Sequence, residues 1–178
     1  MFTLRSRHPW LNKLIPGKIN TLLIILLVWL WYHPPAWVTQ QHRVVPSIDI
    51  HLLDGRMIQL SSLRGQVVLV NFWATWCPWC RKEMPDIARF YRDWHTHGIT
   101  VLALSLDDNP QLAEQYMQQH DYHWPTGIAD TNSQLAFGGV GQIPASFIID
   151  QQGVLRYSIK GQIYYGRLIS LAQPLLTR

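Results

Sequence analysis

Cys77 and Cys80 are the two cysteines of the chain, and they stand three positions apart in Trp76-Cys77-Pro78-Trp79-Cys80. A disulfide scaffold needs more cysteines, spread along the chain. A bridge between positions this close encloses almost no loop, so it constrains the unfolded chain little. The pair is a poor staple and a good redox switch. Its chemistry would be thiol–disulfide exchange, in which one thiolate attacks and the second thiol resolves the mixed disulfide.

Three other chemistries use the same residue types. A four-cysteine zinc site lacks its second pair. A copper- or metal-handling protein using Cys77, Cys80 and a histidine is the alternative, with His95/His97 and His120/His123 as the close histidine pairs. A peroxidatic cysteine would want threonine three residues earlier and proline further upstream, where Ala74 and Val70 stand.

Exchange chemistry requires an element that stabilises an anion at one sulfur. Residues 66–73 form a largely apolar run, as expected for a strand buried on both faces, and lead directly into Trp76 and Cys77. A helix is expected next, because Met84, Ile87, Ala88, Tyr91 and Trp94 recur at three- and four-residue spacing between charged residues. Pro85 should kink it. Cys77 then sits at the helix N-terminus, where free backbone N–H groups favour a thiolate. Pro78 suits the first turn. The expected roles are Cys77 as exposed nucleophile and Cys80, one turn on, as the more buried resolving thiol.

The remaining elements follow from similar signals. Residues 48–53 and 57–60 flank Asp54-Gly55, a hairpin signature. Further strands are expected over 99–106, near 126–128, over 145–150 and over 154–159. Helices are expected over 112–120, around 133–137 and over 163–176. The order is βαβ, an inserted helix and strand, then a β-hairpin and a helix, which implies an α/β sheet with helices on both faces.

The first 42 residues contain Arg5, Arg7, Lys13 and Lys18 and no acid, whereas positive and negative side chains balance over residues 43–178. The pI near 9.3 therefore belongs to the N-terminal tail, and the rest offers no basic face for nucleic acid. Residues 19–32 carry no charge, and Trp29, Trp31, Tyr32 and Trp37 gather where aromatic side chains favour a lipid–water boundary. No small-residue cleavage site follows. The expectation is a cytoplasmic tail over 1–18, an uncleaved transmembrane signal-anchor over 19–38 in a bacterial-type inner membrane, a linker over 39–47 and an exported, periplasmic domain over 48–178.

Residues 70–85, from Val70-Asn71-Phe72-Trp73 through the two cysteines to Glu83-Met84-Pro85, resemble the thioredoxin superfamily. More narrowly they resemble its membrane-anchored TlpA/ResA/DsbE group. Gly141-Gln142-Ile143-Pro144-Ala145-Ser146-Phe147 resembles the second superfamily signature. The likeness covers about residues 44–178, and the Pro-Trp pair between the cysteines is similar to the suppressor-of-copper-sensitivity D proteins. The resemblance implies a thioredoxin-like fold with an N-terminal β-hairpin and a central helix–strand insertion. It implies Pro144 as a cis-proline, with the Ile143 backbone pairing with a substrate strand. It implies no cofactor beyond the Cys77–Cys80 disulfide, protein thiol or disulfide substrates, and recharging by a DsbD-type membrane electron donor. Cytochrome c biogenesis or copper tolerance would be its setting. Thioredoxin has a buried aspartate where this chain has Asn71, so proton transfer to or from Cys80 passes to Glu83, an acidic position typical of the group. Trp76 would shield the thiols and Trp79 would meet the substrate.

Overall fold

A computed structural model describes residues 17–32 and 37–176, and the chain divides into two units, Met1–Pro35 and Ala36–Arg178. In the first unit, helix α1 (Gly17–Tyr32) has 16 residues, about 24 Å at ~1.5 Å per residue. Its apolar side chains at positions 22–29 are half or more exposed. Among the described residues no helix is long and apolar enough to cross a membrane.

The second unit is built on a six-stranded sheet. Its strands are β1 (Trp37–Val44), β4 (Val67–Trp73), β5 (Ile99–Ser105), β6 (Thr126–Ile128), β7 (Ala145–Ile149) and β8 (Val154–Lys160), in the order β1-β8-β7-β4-β5-β6. Strands β4, β5 and β6 are parallel, and β7, β8 and β1 alternate against them. Strands β2 (Asp49–His51) and β3 (Met57–Gln59) form the expected hairpin, with Ile50 opposite Ile58. The backbone of residues 52–53 meets the outer edge of β6: Leu52 bridges Gly127, and the Leu53 N–H donates to the Thr126 carbonyl at 2.8 Å.

Strand β4 is buried at every residue, so both of its faces carry core. Val67, Leu69 and Trp73 pack with helices α2 (Pro78–Trp94), α3 (Pro110–Gln119) and α5 (Tyr165–Ala172), through Met84, Ile87, Phe90, Met117 and Leu168. Val68, Val70 and Phe72 turn the other way, toward Ile50, Leu60 and Phe137 at the end of α4 (Thr131–Ala136). The side-chain period of two along a strand makes this division. It also places Asn71 on the α2 side.

Two boundaries differ from the expectation by more than two residues. Trp37 and Val38, assigned to the membrane span, and most of the expected linker form β1 instead, paired from Trp37 with Lys160 to Val44 with Val154 around an irregularity between Gln40 and Arg43. This pairing satisfies the backbone edge that β8 would otherwise expose. The C-terminal helix is also shorter than residues 163–176. Residues 161–164 are not helical, α5 begins at Tyr165, and a 3-10 turn at Gln173–Leu175 ends the described chain around Pro174, which has no N–H for a longer helix.

Candidate active site

Strand β4 ends at Trp73, and four residues later Cys77 caps the N-terminus of α2 with extended backbone angles, φ −88° and ψ 108°. The turn between them is tied to the neighbouring parallel strand. Asp107, just past β5 and buried, accepts the Thr75 hydroxyl at 2.6 Å, the Thr75 N–H at 3.0 Å and the Ser105 hydroxyl at 2.6 Å. The Leu106 N–H donates to the Trp73 carbonyl at 2.8 Å. Carboxyl ends of adjacent parallel strands lie side by side, which is why a residue beyond β5 can hold the approach to Cys77.

Cys77 and Cys80 are joined in a disulfide with their Cα atoms 5.3 Å apart. The Cys77 Sγ also accepts the Cys80 N–H at 3.1 Å, as a cap on α2. When the bridge opens, a thiolate at Cys77 faces a helix start with no acid in its first turn and with Arg81 and Lys82 close behind. Cys77 is only 4% exposed and Cys80 fully buried. The order of exposure is the expected one, but in this oxidised form Cys77 is not an exposed side chain, because its sulfur is turned back onto the first turn of α2. Trp76 and Trp79 stand outward on either side of it, 64% and 40% exposed. The Lys82 ammonium lies 5.1 Å from the Trp79 ring centre.

The Ile143–Pro144 peptide is cis, the geometry the resemblance implied. Pro144 is buried, and Ile143 packs at the rim of the core cluster that contains both cysteines. The Ile143 backbone makes no hydrogen bond to another described residue.

Glu83 is fully buried, one turn after Cys80, and not paired with Arg81 or Lys82 at the surface. Its Oε1 accepts the Asn71 Nδ2–H at 2.8 Å and its Oε2 accepts the Ile163 N–H at 2.9 Å. Asn71 Nδ2 also donates to the Ser146 hydroxyl at 3.0 Å, whereas Asn71 Oδ1 is buried without a partner. Burial pushes the Glu83 carboxyl up to about 8, against the opposing pull of the two N–H donors. The Ile163 N–H that serves Glu83 lies in the non-helical segment ahead of α5.

The structure thus joins Asn71 to Glu83 and buries Cys80 one turn ahead of Glu83 on α2. The sequence reading missed Thr75, Ser105 and Asp107, Ser146, and the Ile163 backbone. Asp107 could have been sought as an acid directly beyond an apolar parallel strand. Nothing local marks Ser146 or Ile163, because both arrive through long-range pairing. The histidines have other settings: His95 stacks on Tyr91 and His120 on Tyr116, with ring centres 5.0 and 4.1 Å apart. Among the described residues no three histidine, cysteine, aspartate or glutamate side chains gather as metal ligands.

Residues 42–158 match the model of the AhpC/TSA family. The chain is 32% identical to the thiol-disulfide oxidoreductase ResA of Bacillus cereus over 120 residues, which cover 67% of this chain and 69% of that protein. It is 30% identical to the ResA of Geobacillus thermodenitrificans over 148 residues, or 80% and 85% of the two chains. Among solved structures, a thioredoxin family thiol:disulfide interchange protein from Chlorobium tepidum superposes with a TM-score of 0.71 at 29% identity, covering 78% of this chain and 99% of that one.

Proposed function

We propose how this chain works from the premise that it belongs to the AhpC/TSA family: it is a thiol–disulfide oxidoreductase with a thioredoxin-like fold. The direction we assign is reduction of protein disulfides. The observation that carries the mechanism is the Cys77–Cys80 bridge at the start of α2 with the buried carboxyl of Glu83 one turn further on. In the reduced chain the Cys77 thiolate attacks a substrate disulfide, and one substrate sulfur leaves as a thiolate that takes its proton from water. Cys80 then attacks Cys77 Sγ, expelling the second substrate sulfur as a thiolate, which water protonates, and closing the bridge. Two electrons pass to the substrate. Glu83 takes the Cys80 proton in that step, and a carboxyl raised to about 8 is matched to a thiol's own range. The oxidised form described here is the product of that step, with Glu83 protonated below about pH 8.

The substrate lies across Trp76 and Trp79 as an added strand, taking main-chain hydrogen bonds from Ile143 beside Pro144. We further propose that the N-terminal unit tethers the catalytic unit to the outer face of an inner membrane, where a DsbD-type donor returns the electrons. Support comes from the four N-terminal positive charges, the uncharged run over residues 19–32 and apolar side chains around the circumference of α1. A reporter enzyme active only outside the cytoplasm, fused after residue 178, is expected to be active; an inactive fusion removes the tether reading.

A Cys80→Ser chain is expected to hold its substrate as a mixed disulfide on Cys77. If Cys77→Ser alone traps partners, the roles of the two sulfurs are reversed. Equilibration with glutathione tests the direction, because a potential as oxidising as about −120 mV marks an oxidant and not a reductant.

A further inference from the structure

The hydrogen bonds around Glu83 suit only one of its two charge states. Both carboxyl oxygens accept from N–H donors, Asn71 Nδ2 at 2.8 Å and Ile163 N at 2.9 Å. That partner set fits a carboxylate. A carboxylic acid carries an O–H that needs an acceptor, and here it would meet an N–H on either side. Glu83 and Asn71 are fully buried and Ser146 is 1% exposed, so bulk water is not at hand as an acceptor. The Ile163 N–H belongs to the backbone and is always a donor.

Asn71 can change sides. Its Oδ1 is a buried acceptor with no partner, while its Nδ2 serves both Glu83 Oε1 and Ser146 Oγ. A half-turn about the last side-chain bond exchanges the two atoms with almost no change of shape. The carbonyl then points at Glu83 and Ser146 together. Ser146, directly opposite Asn71 in the β4–β7 pair, has a hydroxyl that accepts in one arrangement and donates in the other.

We infer that Asn71 is a positioning residue whose amide reverses with the charge of Glu83, giving its NH₂ to the carboxylate and its carbonyl to the acid. Glu83 is thereby hydrogen-bonded in both states, and its proton can come and go without movement of β4, β7 or α2. Leucine at position 71 could serve neither state, and an ionised aspartate could not donate to the carboxylate. This use of the switch rests on the proposed proton exchange between Glu83 and Cys80. The other ionisable groups facing Glu83 are Asp86, on α2, and Tyr164, ahead of α5. Neither is hydrogen-bonded to Asn71. A carboxyl raised to about 8 changes charge where thiol exchange is active.

The test uses the full-length oxidised chain, labelled with ¹⁵N and ¹³C, in detergent micelles. Magnetisation transfer from the Asn71 side-chain NH₂ to the Ser146 β-protons is expected to be strong above the Glu83 midpoint and weak below it. The change should share its midpoint with the Glu83 Cδ shift. Glu83→Gln supplies a fixed control. Its Oε1 must accept from Ile163, so its NH₂ faces Asn71, and Asn71 is expected to hold the low-pH pattern at every pH. An Asn71 pattern that stays constant while Glu83 titrates overturns the inference, as does a Glu83→Gln chain locked in the high-pH pattern. Exchange activity reports on the other claim: a Glu83→Gln chain as fast as wild type, with the reversal still observed, removes the proton role of Glu83 and leaves the amide switch established.

Discussion

Replacing Glu83 by glutamine should remove the pH dependence of stability at this site. In the folded chain the carboxyl is raised from an ordinary 4.5 to about 8, because burial disfavours the charge more than the Asn71 and Ile163 donors restore it. The folded chain therefore holds the Glu83 proton more tightly than the unfolded chain does. Its stabilising contribution is complete below the unfolded value near 4.5 and declines as pH rises. It is lost once pH has passed about 8. At ~1.36 kcal/mol per pH unit, the gap between the two values corresponds to about 5 kcal/mol, comparable with the whole stability of many domains. Glutamine has no charge to bury. Its Oε1 can accept from Ile163 and its NH₂ can donate to Asn71 Oδ1, which otherwise lacks a partner. Denaturant unfolding of the oxidised wild-type and Glu83→Gln chains, each at a series of pH values, isolates the effect, since other groups cancel in the difference. Near pH 5 the variant should be equal or weaker by about 1 kcal/mol, the size of an imperfect hydrogen bond. Near pH 9 it should be more stable by about 3–5 kcal/mol. A difference that stays flat to within about 1 kcal/mol over that range refutes the reasoning.

Other perturbations follow from the same geometry. Asp107→Ala removes the acceptor of three hydrogen bonds beside the turn that leads to Cys77; a loss of about 2–4 kcal/mol is expected in denaturant unfolding, with slower thiol exchange, and unchanged values of both would show that the clamp is idle. Gly127→Ala would place a Cβ 2.5 Å from the His51 carbonyl oxygen; thermal unfolding should fall by several degrees, equivalent to about 1–3 kcal/mol, and an unchanged midpoint would show that the hairpin is not seated tightly on β6.

Much of the catalytic unit was legible in sequence because its signals are local. The apolar run of β4, the three-and-four spacing of α2 and the Asp54-Gly55 turn each depend on neighbouring residues, and each element lies where those residues placed it. Strand β1 was not legible. Thr39-Gln40-Gln41-His42-Arg43 lacks the alternation of a half-buried strand, and its reason to be extended is the backbone edge of β8 at the far end of the chain. The bond from the Ile163 N–H to Glu83, eighty positions earlier, is equally unmarked by neighbouring residues.

The chemistry divides along the same line. Spacing alone made Cys77 and Cys80 a redox pair and not a staple, because a three-residue separation encloses too little chain to stabilise a fold. Residue type alone indicated that Asn71 could not be the proton carrier. What Glu83 can do was decided only by the tertiary structure. Its proton affinity depends on the water that α2, α5 and β4 exclude, and on donors contributed by Asn71 and Ile163, which come from opposite ends of the domain. Desolvation is a property of the packed interior, and no run of neighbouring residues carries it.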